Sequence, residues 1–431
     1  MKLKLFSIIA LSGSLSVFGQ ESNKTIRCSQ MDAEAQLQKE NPNRLAELEA
    51  YEKELNKWIE AHPYDSQKTR ATINIPVVVH VLWNKAVENI SDAQILSAIN
   101  VLNEDFNRKN ADASKTPSLF TSVAGAADVN WCMAVQDPQG KPTNGIIRIQ
   151  TTKTGFATDN GAKKSGASFG GSDAWPTDKY FNIWCVNFTD QQLLGYGEFP
   201  TNVQTNTHGF CATYKAFGLG GANVAPFNLG RTGTHEVGHC FNLKHIWGDE
   251  AQCAADDGVT DTPQQKSENY GVKTFPQGPS AAGGCCTASD QSSMFMNYMD
   301  YTDDGAMNIF TKGQVTRMLA VLNTGPYSKY NLSKGCTPVA TGLNEFDAAS
   351  IFNLSPNPTN GLITLTIKSA LEKNAIVNVK NILGETMSTI SLNALGENVS
   401  IDLSHHADGV YFIELINNGK VLTQKLILDK E

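Results

Sequence analysis

Between Thr234 and His245 the chain reads Thr234-His235-Glu236-Val237-Gly238-His239-Cys240-Phe241-Asn242-Leu243-Lys244-His245. On a helix, positions i and i+4 share a face, so His235 and His239 can point at one metal ion. Glu236 lies beside His235 on the same helix, within reach of a water at that metal whose proton it can take. A catalytic zinc keeps three protein ligands and leaves a fourth position for water. His245 can be the third ligand only if the chain turns sharply after His239. Asn242 stands where it would turn, and asparagine, after glycine, best tolerates the left-handed conformation that ends helices. A lone histidine is an ordinary surface or core residue. Three histidines and a glutamate at this spacing are rare in ordinary composition.

A zinc site of this kind needs a compact domain, and the chain has the means to build one. Its 431 residues suggest two or three domains, and 41% hydrophobic against 18% charged residues suits a soluble core. The net charge of −8 is mild and argues against a nucleic-acid partner. Met1-Lys2-Leu3-Lys4 precedes an apolar run from Leu5 to Phe18, and Val17-Phe18-Gly19 suits a signal peptidase. Residues 1–19 therefore read as a secretory signal, and no internal run is long enough to span a membrane once it is removed. Exported cysteines mostly pair. Of the nine, Cys28 is isolated; the other eight are expected to form as many as four bridges, with adjacent Cys285 and Cys286 bonded to different partners.

Residues 20–70 are polar and helix-prone, with Leu45, Leu48, Leu55 and Trp58 on one helical face. The stretch is too small for its own core and reads as a pro-segment lying on the next domain. That domain, residues 71–338, opens with the buried strand Ile73–Trp83. Ser91-Asp92-Ala93-Gln94 forms a capping box before a helix whose stripe is Ile95, Ile99, Leu102 and Phe106. Further strands are expected at 129–135, 146–149 and 180–188, giving an α/β (α+β) domain with the metal helix beneath a mixed twisted sheet. Gly195-Tyr196-Gly197-Glu198-Phe199-Pro200 suits an edge strand beside the metal cleft, able to pair with an extended peptide. Asp249, Glu250, Asp256, Asp257 and Asp261 lie in a Gly/Pro-rich loop that could offer oxygen ligands to calcium. Met294 to Tyr301 is expected to pack in the core, and Phe310–Leu319 to hold a capped terminal helix. Residues 345–431 alternate short strands and turns, as in a small all-β sandwich.

His235-Glu236-x-x-His239-x-x-Asn242-x-x-His245, with Asn297-Tyr298-Met299-Asp300-Tyr301 about fifty residues on, resembles the metzincin metallopeptidases, and most of all the pappalysin family. Gly195–Pro200 and Asp261-Thr262-Pro263 are similar to that family's pattern. The resemblance implies a methionine turn under zinc at Met299, an oxyanion-stabilising Tyr301, and calcium in the acidic loop, with Asp257 and Asp261 as candidate ligands. It also implies that a pro-segment group occupies the open zinc position: Cys28 in Arg27-Cys28-Ser29-Gln30-Met31-Asp32, or Asp32 in its place. Two departures stand out. Asn242 replaces the usual glycine, and Ala306 stands where relatives often carry a cysteine. Leu354-Ser355-Pro356-Asn357-Pro358, Gly409-Val410-Tyr411-Phe412 and Lys425-Leu426-Ile427 resemble the C-terminal sorting domain of type IX secretion cargo.

The expectation is a secreted or cell-surface zinc endopeptidase, made as a latent precursor, acting on protein or peptide substrates and handed to secretion machinery by its last domain. His235, His239 and His245 hold zinc, Glu236 is the base, and Tyr301 assists. The alternatives are an adhesion or binding protein on an inactive fold, which an intact Glu236 argues against, and a zinc hydrolase of non-peptide substrates.

Overall fold

The computed structural model describes residues 25–65, 72–332, 336–338, 352–368, 375–381, 385–392, 398–417 and 420–430. The expected signal, residues 1–19, and the end of the expected pro-segment, where activating cleavage is expected near Arg70, lie outside them. The chain divides into two compact units, residues 1–339 and 340–431. Among the described residues no helix is long and apolar enough to cross a membrane.

The first unit begins with helices α1 (Gln30–Glu40) and α2 (Arg44–Ala61). The buried face of α2 carries Arg44, Tyr51 and Leu55, while Leu45, expected on that face, is 56% exposed. Spacing explains the miss: Arg44, Tyr51 and Leu55 lie seven and four apart, and Leu45 falls one step off that row.

Strand β1 (Ile73–Trp83) is buried along nearly its whole length, as its β-branched run predicts. Helix α3 (Asp92–Phe106) follows. Ser91 caps it by accepting from Gln94 N at 3.2 Å, but the expected capping box is only half formed. The Gln94 amide instead donates to Tyr214 O, Phe217 O and Asn223 Oδ1, tying α3 to a distant loop. Ile95, Ile99, Leu102 and Phe106 are all buried.

After the short α4 (Ser118–Thr121) come β2 (Val129–Ala134), β3 (Ile146–Gln150), β4 (Phe181–Val186), β5 (Gly195–Gly197) and β6 (Gly209–Thr213). The remaining elements of this unit are α5 (Arg231–Cys240), α6 (Lys312–Asn323) and β7 (Cys336–Pro338). The sheet runs β5-β6-β4-β1-β2-β7, with β3 also on β1. It is mixed: β1 pairs in parallel with β2, β3 and β4, and β4 with β6, while β5 and β7 run antiparallel to their neighbours. β5 lies at the edge, as its glycines and trailing proline predict. Helix α6 carries the complete capping box that α3 lacks, Thr311 with Gln314.

The disulfides depart from expectation. Two bridges form, Cys132–Cys336 and Cys253–Cys286. Cys28, Cys185, Cys211, Cys240 and Cys285 are reduced and buried. Cys185, Cys211 and Cys240 act as small apolar core residues on β4, β6 and α5, a common use of buried cysteine. Of the adjacent pair only Cys286 is bonded, to Cys253.

In the second unit, β8 (Phe352–Ser355), β9 (Leu362–Ile367) and β12 (Asn398–Asp402) make a three-stranded sheet. β10 (Ala375–Lys380), β11 (Thr386–Leu392), β13 (Gly409–Asn417) and β14 (Lys420–Leu428) make a four-stranded one. These strands pair antiparallel, and an isolated parallel bridge joins Thr359 to Leu428. Alternate residues such as Leu354, Ile363, Leu365, Val377, Val379, Ile413 and Leu415 meet in one core, the period-two pattern of a sandwich.

Candidate metal centre and cleft

Helix α5 is held from below by charge. Asp105 of α3 receives the Arg231 guanidinium, the Thr234 hydroxyl at 2.6 Å and the Tyr298 hydroxyl at 3.1 Å. One buried carboxylate therefore fixes α5 to α3 and to the Met294–Tyr301 turn. At its other end α5 stops where expected: Asn242 has φ +67°, its amide donates to Glu52 Oε2, and its carbonyl accepts from Arg317 Nε. The reversal swings His245 back toward the helix.

The three histidines meet. Their Nε2 atoms lie 3.2 Å (His235 to His239), 3.0 Å (His239 to His245) and 3.3 Å (His235 to His245) apart, and all three rings are buried. Each Nδ1 faces an acceptor: Tyr298 O at 2.7 Å for His235, Leu243 O at 2.8 Å for His239, and the Asp249 carboxylate for His245. Each Nδ1 is therefore the protonated nitrogen, and each Nε2 carries a lone pair. Burial holds His235 well below its usual range and His239 down to about 3, so neither ring takes a second proton. Three lone pairs at such distances repel one another unless a cation sits among them. Tetrahedral zinc with nitrogen ligands at 2.0–2.1 Å would space them roughly 3.3 Å apart, so the donor set fits that ion.

Cys28 completes the group: its sulfur and the three nitrogens lie within 4.8 Å of one another. The sulfur is 3.4 Å from Glu236 Oε2. Burial first, and then the Glu236 charge, push this thiol well above its ordinary value. Asp32, the other candidate for this position, is exposed on α1 and is not part of the group. Burial likewise pushes the Glu236 carboxyl up to about 8.

Met299 is fully buried directly under α5. A Cβ at Gly238 would lie 2.4 Å from its sulfur, which explains why the helix carries glycine there. Tyr301 packs against His245 and His235, with ring centroids 4.8 and 5.7 Å away, and its hydroxyl donates to Cys28 O at 3.3 Å. Gly195 and Gly197 are explained the same way. A Cβ at Gly195 would lie 2.9 Å from Glu236 Oε1, and one at Gly197 would lie 2.6 Å from Glu236 O. The edge strand thus presses directly on the helix.

The leading segment fills the cleft. Ile26 N donates to Gln192 O at 2.9 Å, Leu194 N to Ile26 O at 3.0 Å, and Ser29 N to Gly195 O at 3.1 Å. Ile26 pairs in parallel with Leu193 beside β5, where an extended peptide was expected. Arg27 is wholly buried: its guanidinium pairs with Asp304 Oδ1 at 2.8 Å and stands 4.8 Å over the Phe227 ring. Asp304 Oδ2 accepts from Leu229 N and Arg231 N. Arg27 and Asp304 escaped sequence reasoning. The only signal was the position of Arg27 beside Cys28, since a pair 277 residues apart leaves no periodic trace.

The acidic loop does not converge. Among the described residues, the histidine–cysteine group is the only set of three or more such side chains drawn together. Asp249 turns to His245, Glu250 and Asp256 are exposed, and Asp261 Oδ2 accepts from Gly313 N. Asp257 is buried, accepting from Val259 N and Thr262 Oγ1. One oxygen of Asp257 and one of Asp261 are buried without a hydrogen-bond partner.

Comparison with known proteins adds a family context. The profile described as pregnancy-associated plasma protein-A matches residues 167–323, and that of a secretion system C-terminal sorting domain matches 353–429. An extracellular metalloprotease of Verticillium alfalfae is 32% identical over 58% of this chain and 75% of its own length. One from Arthroderma otae is 27% identical over 62% and 85%. Among solved structures, a Tannerella forsythia promirolysin mutant is 41% identical, covering 71% of this chain and 97% of its own, with TM-score 0.63. Mature mirolysin from the same organism, in complex with a cleaved peptide, is 46% identical over 61% and 97%, with TM-score 0.58.

Proposed function

The chain belongs to the pregnancy-associated plasma protein-A family of metallopeptidases, and from that premise we propose how its residues divide the work of cutting a peptide bond. It is a secreted zinc metalloendopeptidase with a C-terminal sorting domain. His235, His239 and His245 hold the zinc, which when bound acts as a Lewis acid and lowers the pKa of water. The observation that carries this reading is the convergence of three buried Nε2 lone pairs with Glu236 beside them.

Glu236 takes a proton from the attacking water and returns it to the leaving amine. Tyr301 donates to the developing oxyanion; its hydroxyl already donates to a main-chain carbonyl in the cleft, that of Cys28. The start of β5 and the residues just before it bind the extended substrate by main-chain hydrogen bonds, as Gln192, Leu194 and Gly195 now bind Ile26 and Ser29. The pocket that holds Arg27 against Asp304 and Phe227 takes a basic side chain next to the scissile bond.

Residues 20–70 are a pro-segment in this reading, with Cys28 as the thiolate that fills the fourth zinc position and bars water. Calcium binds in the 249–261 loop, where the unpartnered oxygens of Asp257 and Asp261 support it. The C-terminal unit engages the secretion machinery.

The deciding experiment compares wild-type and Glu236→Ala protein on casein, with mass-spectrometric mapping of the cuts. The variant is expected to retain zinc and lose about 10²–10⁴-fold in rate. Wild-type cuts are expected to fall beside Arg or Lys. A variant that cleaves at the wild-type rate would defeat the mechanism.

A further inference from the structure

The three histidines are not held alike. His235 and His239 sit on α5 and donate to main-chain carbonyls, Tyr298 O and Leu243 O. His245 lies beyond the helix end, in a loop, and its Nδ1 meets a charged side chain, that of Asp249. The ring least restrained by secondary structure thus has the strongest acceptor. Trp247 stacks on it with centroids 4.6 Å apart and planes within 5°, and Tyr301 closes its edge.

The backbone is bent to bring this about. Gly248 has φ +73° and Asp249 φ +66°, two successive left-handed residues. Asparagine and aspartate visit that region more readily than other side chains, yet it remains costly for anything but glycine. A Cβ at Gly248 would lie 2.6 Å from both N and O of Asp256, so the following loop clamps the turn from outside. The turn aims the Asp249 carboxylate inward, leaving its side chain 17% exposed, although the sequence places it among solvated acids of a calcium-type loop.

We propose that Asp249 is a positioning residue for the metal site: its carboxylate fixes the tautomer and orientation of His245 so that Nε2 faces the other two ligands. This rests on the reading of His235, His239 and His245 as the zinc ligands. A carboxylate behind a ligating histidine raises its basicity, and removing such a partner weakens metal binding 10–100-fold in general. The loop's first acid therefore serves zinc rather than calcium.

The test uses the full chain in the Glu236→Ala background, so that self-cleavage does not interfere. Asp249→Asn keeps the side chain's size, an acceptor oxygen and tolerance of the left-handed backbone, and removes only the charge. Asp249→Gly relieves the backbone and deletes the group. Zinc Kd is measured by chelator competition, the apoprotein Tm by calorimetry, and the visible spectrum after cobalt substitution. The expected result is a Kd raised about tenfold in Asp249→Asn and toward 100-fold in Asp249→Gly. The cobalt spectrum should shift, and the apoprotein Tm should stay at the parent value. Unchanged affinity in both variants overturns the proposal. So does a fall in apoprotein Tm that tracks the loss of affinity, because Asp249 would then be a structural cap. His239→Ala serves as the separate control. If it keeps wild-type zinc affinity, the ligand assignment itself fails and the Asp249 role falls with it.

Discussion

The two units bury different things. The first buries His235, Glu236, Asp105, Arg27, Asp304, Asp300 and Glu198, each nearly or fully sealed from solvent. The second, among the described residues, buries aliphatic and aromatic side chains with only Thr359 and Thr423 as polar company. Burying charge is costly unless it is paired, so stability alone would favour the second arrangement throughout. The first unit accepts that cost where groups must converge. Arg27 meets Asp304, Arg231 meets Asp105, and Glu198 meets Lys163 at 3.3 Å and Arg44 at 3.7 Å. The Nε2 atoms of the three histidines face one another beside the Cys28 sulfur, and the cation that would balance them is the metal. Costly burial is concentrated around the metal group, and the described residues of the C-terminal unit show none of it.

The sharpest way to break that contrast is at Cys28. Its sulfur completes the metal group, so Cys28→Ala should release activity from the uncut chain. A tethered ligand acts at an effective concentration in the millimolar range, so the uncut variant should cleave a fluorogenic Arg peptide more than about tenfold faster than the uncut parent. Full latency in the variant would move the block to the covering helices α1 and α2.

A medium effect is expected at Asp257. Burial pushes its carboxyl up to about 7, above its value of roughly 3.9 in the unfolded chain. A raised carboxyl favours the folded state fully below about pH 4, and the advantage is lost as pH climbs to about 7. A calcium ion beside Asp257 would offset the cost of ionising it. Calcium should then raise Tm by on the order of 5 °C at pH 8 and much less at pH 5. Calorimetry in calcium and in chelator at both pH values checks this; equal shifts, or none, would remove Asp257 from the calcium site.

The smallest effect is expected from the second unit. Ending the chain after Val339 leaves Cys132–Cys336 and every metal-site contact in place. After activation, kcat/KM on the same peptide should match the full chain within about twofold, since the second unit is compact on its own and supplies no residue of the metal group. A larger fall would mean that the sandwich contributes to catalysis and would erase the contrast.

Legibility followed the range of the interaction. Strand β1, the stripe of α3, the cap of α6 and the sandwich alternation were readable because each repeats over a few residues. The capping box of α3 misled because Gln94 found better acceptors in the 214–223 loop. Leu45 misled because Tyr51 and Arg44 set the buried face of α2. The bridges stop at two because Cys185, Cys211 and Cys240 pack as small apolar core residues, Cys211 in a different cluster from the other two.

By itself the sequence determined the zinc-binding spacing, the place where α5 must end, and the presence of an exported chain with a separate β sandwich. These are local facts, set by the helical period, the left-handed tolerance of Asn242 and the alternation of strands. Only the tertiary structure decided which way each imidazole turns, that Asp249 serves His245 and not its acidic neighbours, and that Arg27 crosses the chain to Asp304. Those choices depend on which distant surfaces meet once apolar strands and helices have collapsed, and such meetings leave no mark on the spacing of residues.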